Sequence, residues 1–359
     1  MVRKWRRIGR LFWIAAIAIW PAALGPAARP SVAAGASPAE DLLARAAETR
    51  TAGCERFWAR TWLRERIVCE SDFDRYGLRL DDNWQQAPAD RPVVVLVHGF
   101  NSSPRQNVAM ITSLREAGLP CGTFAYPNDH NVLASAQLLS CDLRAFARLH
   151  PKRRIVLVCH SMGSLVARAC IEDSLYDPGN VERLIMIAPP THGTLIAHFA
   201  VGTDLWEHWL SRKDGGPWRR TRDAIVDGLG EAADDLCPDS EFLNDLNGRR
   251  RNPRVRYSIL LGTGAHLQEA QLAWIRKSVC DGLEKVPGGQ RSAERLQAIL
   301  DDIDELVEGK GDGIVAVKRG RLDGVSDTLV LPFGHVAVTG EPTSDVLQIV
   351  QREVLTRVQ

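Results

Sequence analysis

The chain has 359 residues, 45% hydrophobic and 25% charged, proportions that suit a folded globular protein and exclude a disordered, collagen-like or polytopic membrane chain. Its 45 Lys and Arg against 44 Asp and Glu leave a formal net charge of +1, so no overall field draws it to nucleic acid and no such partner is expected. The length admits two domains of about 150 residues each, or one large α/β core with an excursion.

Residues 1–36 carry Arg3, Lys4, Arg6, Arg7, Arg10 and Arg29 and no acid. An apolar run over 11–25 follows the basic cluster, and small residues close the segment at Ala34-Gly35-Ala36. This three-part form predicts an export signal and hence a periplasmic or extracellular protein. The run is broken by Pro21 and falls short of the roughly 20 residues that span a bilayer, so an uncleaved membrane anchor is the weaker expectation. Arg6-Arg7 leaves the export route open. In an oxidising compartment the eight cysteines have up to four disulfides available to them. Cys54 with Cys69 and Cys121 with Cys141 are the preferred pairs, whereas Cys159 and Cys170, inside apolar runs, read as small buried side chains.

Residues 37–90, rich in Trp, Arg and acids after a first helical stretch, predict an extension packed on a larger core over 91–359. Within that core, apolar strand-like runs at 93–97, 122–126, 155–159, 184–188 and 255–261 alternate with stretches such as 135–149 and 164–173. The stretches have apolar residues at helical spacing. Strands of this kind with helices between them predict an α/β fold, a mostly parallel sheet covered on both faces. Over 196–251 no strand-like run occurs, but Trp206, Trp209, Trp218 and a Gly215-Gly216-Pro217 break do. A structureless loop of that length is abnormal, so a helical insertion is expected, overhanging the carboxyl ends of the strands as a lid or serving as a spacer.

The run at 155–159 leads straight into His160-Ser161-Met162-Gly163 and a helical stretch. A serine at a sharp strand-to-helix turn presents its hydroxyl above the sheet and needs small residues two positions to either side. Cys159 stands where the first of these is commonly glycine. A serine hydroxyl is a poor nucleophile at neutral pH, so it needs a histidine base, and an oxyanion formed by its attack needs fixed donors. The first core strand ends in His98-Gly99-Phe100, placing the Phe100 amide as one oxyanion donor, with the Met162 amide at the helix start as the other. Further on come Gly311-Asp312-Gly313-Ile314-Val315, read as an acid at a turn entering a strand, and Gly334-His335, in a loop after a strand at 328–331. His98, His160 and His192 read as packing or loop-bracing residues, and Asp323 and Asp327 are rivals of Asp312 for the acid.

With the serine first, the acid second and the histidine last, the chain resembles the α/β-hydrolases of the bacterial lipase and esterase type, near the inositol-deacylase-like lipases, over about residues 90–359. The resemblance also rests on Ala188-Pro189-Pro190-Thr191-His192-Gly193-Thr194 and on the segment 234–247; Cys159 and Ser164, where glycines are common, are departures. It implies Ser161 as nucleophile, His335 as general acid and base and Asp312 as the orienting acid. The expected activity is hydrolysis of carboxylic esters through an acyl-enzyme. The substrate is a small-molecule or lipid ester, with a transient membrane or lipid-interface contact. An acyltransferase, or an amide or thioester hydrolase, would use the same residues, and a non-catalytic binding protein would retain only the fold. No zinc-ligand spacing, P-loop or dinucleotide fingerprint occurs, so neither cofactor nor metal is expected.

Overall fold

The structure, a computed structural model, describes residues 76–82, 84–88, 90–100, 102–127, 131–197, 232, 234–284, 297–298, 300–339 and 345–359. Seven strands form one sheet: β1 (Gly77–Leu80), β2 (Val93–Val97), β3 (Cys121–Ala125), β4 (Ile155–His160), β5 (Val181–Ile187), β6 (Arg256–Gly262) and β7 (Thr328–Leu331). Their order is β1-β3-β2-β4-β5-β6-β7, with β1 antiparallel to β3 and every other neighbouring pair parallel. The described helices are α1 (Val108–Glu116), α2 (Val132–Leu149), α3 (Met162–Ile171), α4 (Glu241–Gly248), α5 (Glu269–Glu284), the short α6 (Val317–Gly320) and α7 (Asp345–Val358). The α/β class read from the sequence is the one adopted. Among the described residues no helix is long and apolar enough to cross a membrane.

Alternation along the strands divides the interior in two. Val93, Val95 and Val97 of β2 and Ile155, Leu157 and Cys159 of β4 join one buried cluster, together with residues of α2 and α3. Val94, Leu96, Val156 and Val158 join the other, beneath α1 and α7. Both faces of these strands are apolar, which is why the sequence shows continuous rather than alternating runs. The connections from β2 run first to β3 on one side and then to β4 on the other. The winding direction therefore reverses between the carboxyl ends of β2 and β4, the place where open α/β sheets form a crevice.

Element edges differ from the sequence pattern where backbone pairing decides them. β5 begins at Val181, paired with Ile155, and ends where Ala188 turns to a φ of 50°. α2 begins at Val132 because the Asn131 side chain accepts from the Ala134 N–H at 2.8 Å. β1 lies within the expected extension, so the sheet draws its outer strand from residues placed before the core. The Leu78 N–H donates to Asp142 Oδ2 on α2 at 2.7 Å, and Leu78, Leu80 and Trp84 pack on the first cluster. The signal segment, the extension up to residue 75 with Cys54 and Cys69, and Trp206, Trp209 and Trp218 of the insertion lie outside the described residues.

The expected Cys121–Cys141 disulfide is not formed. Cys121 belongs to the cluster on the second face, whereas Cys141 sits on α2, which covers the first. The Cys121 thiol instead donates to Asp81 Oδ2 at 3.1 Å, and burial pushes its pKa up to about 12. Cys159 and Cys170 are both fully buried, as their apolar surroundings suggested.

One buried ion pair ties the helix after β4 to its neighbours. Arg168 on α3 and Glu172 are both fully buried and lie 3.0 Å apart, and Arg251 reaches Glu172 at 3.2 Å. Arg168 also donates to Asn247 on α4 at 2.9 Å, and Asn247 donates to the Thr191 carbonyl at 2.9 Å. Glu172→Ala leaves Arg168 buried without its counter-charge, and urea unfolding is expected to show a loss of about 3–5 kcal/mol. A loss below about 1 kcal/mol, the range of an exposed pair, would contradict this account.

Candidate active site

The chain leaves β4 at His160, and α3 starts at Met162. Ser161 between them adopts φ 52° and ψ −128°, one of three non-glycine residues at positive φ among the described residues. Such a conformation costs about 1–3 kcal/mol and persists only where the surroundings impose it. Here the Ser161 N–H donates to the Ile187 carbonyl at 2.9 Å, and its own carbonyl accepts from Ser164 at 2.9 Å. The packing is tight enough that a Cβ on Gly163 would lie 2.3 Å from the His98 carbonyl oxygen. The register that pairs Val97 with Cys159 brings Gly99 beside Ser161. Cys159 is tolerated in place of glycine because its side chain points into the first cluster, away from this crossing. The Ser164 hydroxyl donates to the Cys159 carbonyl at 3.1 Å, so this second departure also has a local role.

Two loops bring the remaining groups to Ser161. Asp312 lies in a turn closed by an antiparallel bridge between Gly311 and Ala316. The strand expected after it is absent: the chain bends through Val315 and enters α6. The turn exists because Asp312 Oδ1 accepts from the N–H groups of Ile314 and Val315, at 2.9 and 2.7 Å. Oδ2 is left for His335, whose Nδ1–H donates to it at 2.8 Å. The His335 N–H also donates to the Asp312 carbonyl at 2.9 Å, so backbone and ring are fixed by the same residue. A carboxylate only accepts, so the proton is on Nδ1 and Nε2 receives the Ser161 hydroxyl at 2.9 Å. Ser161, Asp312 and His335 are all buried. Residues far apart in sequence thus form one line of hydrogen bonds.

The other candidates sort by their partners. Asp327 forms a two-pronged pair with Arg357 at 2.7 and 2.9 Å, which holds its carboxyl below the usual range, and Asp323 is exposed. His192 is exposed and its Nδ1 lies 3.4 Å from the Asn247 amide nitrogen, on the segment after β5. Met162 opens α3, where the first N–H groups have no partner within the helix, and Phe100 directly follows the Gly99 that abuts Ser161. Both expected donors thus adjoin Ser161 along the chain or across the crossing, Met162 as the next residue and Phe100 as the one after Gly99. Among the described residues no group of three or more His, Cys, Asp or Glu side chains is placed to hold a metal ion.

Sequence reasoning missed the residues that brace this arrangement. Tyr126 stacks on His98 at 4.3 Å and donates its hydroxyl to the His98 carbonyl at 2.7 Å, while its N–H lies 3.5 Å from His98 Nε2. His98 Nδ1–H in turn donates to the Gly99 carbonyl at 3.0 Å, so the imidazole is neutral, and burial pushes its pKa down to about 4. Glu305 is fully buried and accepts from the Leu195 N–H at 3.0 Å and from Arg319 at 3.1 Å, while its carbonyl accepts from Gly313 at 2.8 Å. Burial raises the Glu305 pKa. Glu305 thereby joins the Asp312 turn to the Pro-rich segment after β5. No motif spacing announces Tyr126, and Glu305 falls in the run Asp301-Asp302-Ile303-Asp304-Glu305, which reads as a solvated face.

Two outcomes follow from this geometry. Gly163→Val forces a side chain against the His98 carbonyl and is expected to lower unfolding free energy by about 2 kcal/mol or more. Gly248→Ala, where nothing lies within 4 Å, should stay within about 0.5 kcal/mol of wild type in the same urea titration. The depressed His98 pKa means that the unfolded chain binds a proton there before the folded one does. Stability contributed by this residue is full above pH 6.5 and is lost as pH falls toward about 4, a change of about 3 kcal/mol. His98→Gln should remove that part of the slope in a stability-against-pH series; an unchanged slope would contradict the assignment.

Comparison with known proteins agrees with this architecture. Residues 136–213 match the PGAP1-like alpha/beta domain. The crystal structure of Bacillus licheniformis lipase BlEst2 in mature form superimposes with a TM-score of 0.50 at 18% identity, covering 77% of this chain and 97% of that one. Phospholipase PlaB from Legionella pneumophila superimposes at 0.40 and 16% identity, covering 64% of this chain and 45% of that one. No match was found among curated protein sequences. The chain has the α/β-hydrolase fold, and its residues 136–213 are similar to the PGAP1-like alpha/beta domain.

Proposed function

We propose that the protein is a serine carboxylic-ester hydrolase acting on acyl esters or lipids through an acyl-enzyme. The observation that carries this reading is the hydrogen-bonded line from Ser161 through His335 to Asp312 at the carboxyl end of the sheet. In the mechanism His335 Nε2 takes the Ser161 proton as Oγ attacks the ester carbonyl, and Asp312 balances the charge of the imidazolium. The Phe100 and Met162 amides hold the oxyanion. The imidazolium then protonates the leaving alcohol, and water activated by the same imidazole releases the acid. Residues 1–36 act as an export signal.

The test is hydrolysis of nitrophenyl esters of increasing acyl length by the purified chain, beside labelling with a fluorophosphonate. Ser161→Ala should lose activity by at least about 10³-fold and take up no label, and Asp312→Asn should lose about 10⁴-fold in kcat with the fold retained. A preference for long chains would mark a lipase and for short ones an esterase. A rate that Ser161→Ala leaves intact would overturn the proposal, and transfer of the acyl group to added glycerol in preference to water would make the protein an acyltransferase.

A further inference from the structure

His160 lies beside the line of hydrogen bonds without belonging to it. Its ring centre is 4.7 Å from that of His335, and its Nε2 is 3.2 Å from the His335 carbonyl oxygen. A carbonyl oxygen only accepts, so the hydrogen of the neutral ring must be on Nε2, which leaves a lone pair on Nδ1. Nδ1 is buried and has no hydrogen-bond partner among the described residues. Burial, and to a smaller extent the neighbouring His335, push the His160 pKa well below its ordinary 6.5, so protonation does not satisfy that nitrogen.

Next to this ring, on the sheet face covered by α1, is a cavity of about 10 Å³. Leu96, Val158, Ile187 and Val338 line it, and its two polar walls are His160 and Asn107. That volume is close to the minimum that one water molecule occupies, and a water needs two or more polar partners to stay in such a place. The Asn107 amide, with both donor and acceptor atoms, supplies the second.

We propose that His160 is a positioning residue for His335: its Nε2–H anchors the His335 carbonyl, and one water seated between His160 and Asn107 donates to Nδ1 and fixes that tautomer. The alternative tautomer would turn a lone pair toward the His335 carbonyl oxygen and push the loop away. The His335 ring is held at 2.9 Å from Ser161 at one nitrogen and 2.8 Å from Asp312 at the other, so a displaced loop breaks both contacts together. The proposal rests on the serine-hydrolase reading above, because positioning His335 matters to turnover only if that residue moves the proton.

The experiment compares wild type with His160→Phe, which keeps a ring but has no donor, and His160→Gln, whose amide can reach the same carbonyl. For His160→Phe a fall of about 10- to 100-fold in kcat is expected with KM within about two-fold, and the rate of fluorophosphonate labelling should fall in parallel. His160→Gln should recover most of both rates. Wild-type rates in His160→Phe, or a loss shared equally by His160→Gln and accompanied by a lowered melting temperature, would overturn the positioning role. Nitrogen-15 NMR of the wild-type chain, independent of how the variants fold, should show His160 as the neutral Nε2–H tautomer from about pH 5 to 8. The Nδ1–H form or protonation in that range would overturn the proposal as well. Failure of wild type to take up the fluorophosphonate is a separate result, which removes the hydrolase reading and this inference with it.

Discussion

The close crossing of the end of β2 over the start of α3 is the constraint on which the site depends. Gly163 passes the His98 carbonyl at a distance that admits no side chain, and Gly99 abuts Ser161. Ser161 is forced into a conformation that a serine in solution avoids, and the surrounding core supplies the stability that holds it there. A relaxed serine would join either the strand or the helix and point its hydroxyl along one of them. The strain is what turns the hydroxyl out of both elements and toward His335 Nε2.

The loops that complete the site have no sheet to fix them and rely on buried polar groups instead. Asp312 uses one oxygen to form its own turn and the other to hold His335. Glu305 and Arg319 join that turn to the segment after β5, and Arg168 with Asn247 joins the same segment to α3. Burying these charges is costly unless each is paired, and here each has a partner. Asp312, His335 and Ser161 are thereby referred to one another through side chains rather than through the sheet alone.

The sequence made the parallel sheet legible because its central strands are apolar on both faces and its helices show a clear period. It made Ser161, Asp312 and His335 legible as candidates because a strand-to-helix turn, a glycine-flanked acid and a histidine in a loop after a strand each have local signatures. β1 escaped notice since Gly77-Leu78-Arg79-Leu80 has no β-branched residue and is held by pairing with β3 and by Asp142. The turn after Asp312 was read as leading into a strand because Ile314-Val315 has strand composition, yet the side chain of Asp312 itself captures both amides and bends the chain. The Cys121–Cys141 pairing failed for a reason no spacing reveals, namely that the sheet lies between them. Glu305 and Arg168 were hidden because charged residues in polar stretches are normally solvated, and only the packing shows these two to be inside.

Three histidines, His98, His160 and His335, meet at the end of β2 and β4, and the protein gives them different electrostatic surroundings. His98 is buried and His160 half-buried against carbonyl groups and aromatic rings, and among the described residues no carboxylate is hydrogen-bonded to either ring, so a proton on either would be a charge without compensation. Both pKa values are accordingly depressed. His335 alone has an acid on its second nitrogen. In the proposed mechanism the proton leaving Ser161 therefore has one place to go, and the two neutral rings hold the backbone on either side of it: His98 the loop that carries one oxyanion donor, His160 the loop that carries the base. Selection of one histidine among three follows from where the carboxylate is put, which the fold decides through a turn far along the chain.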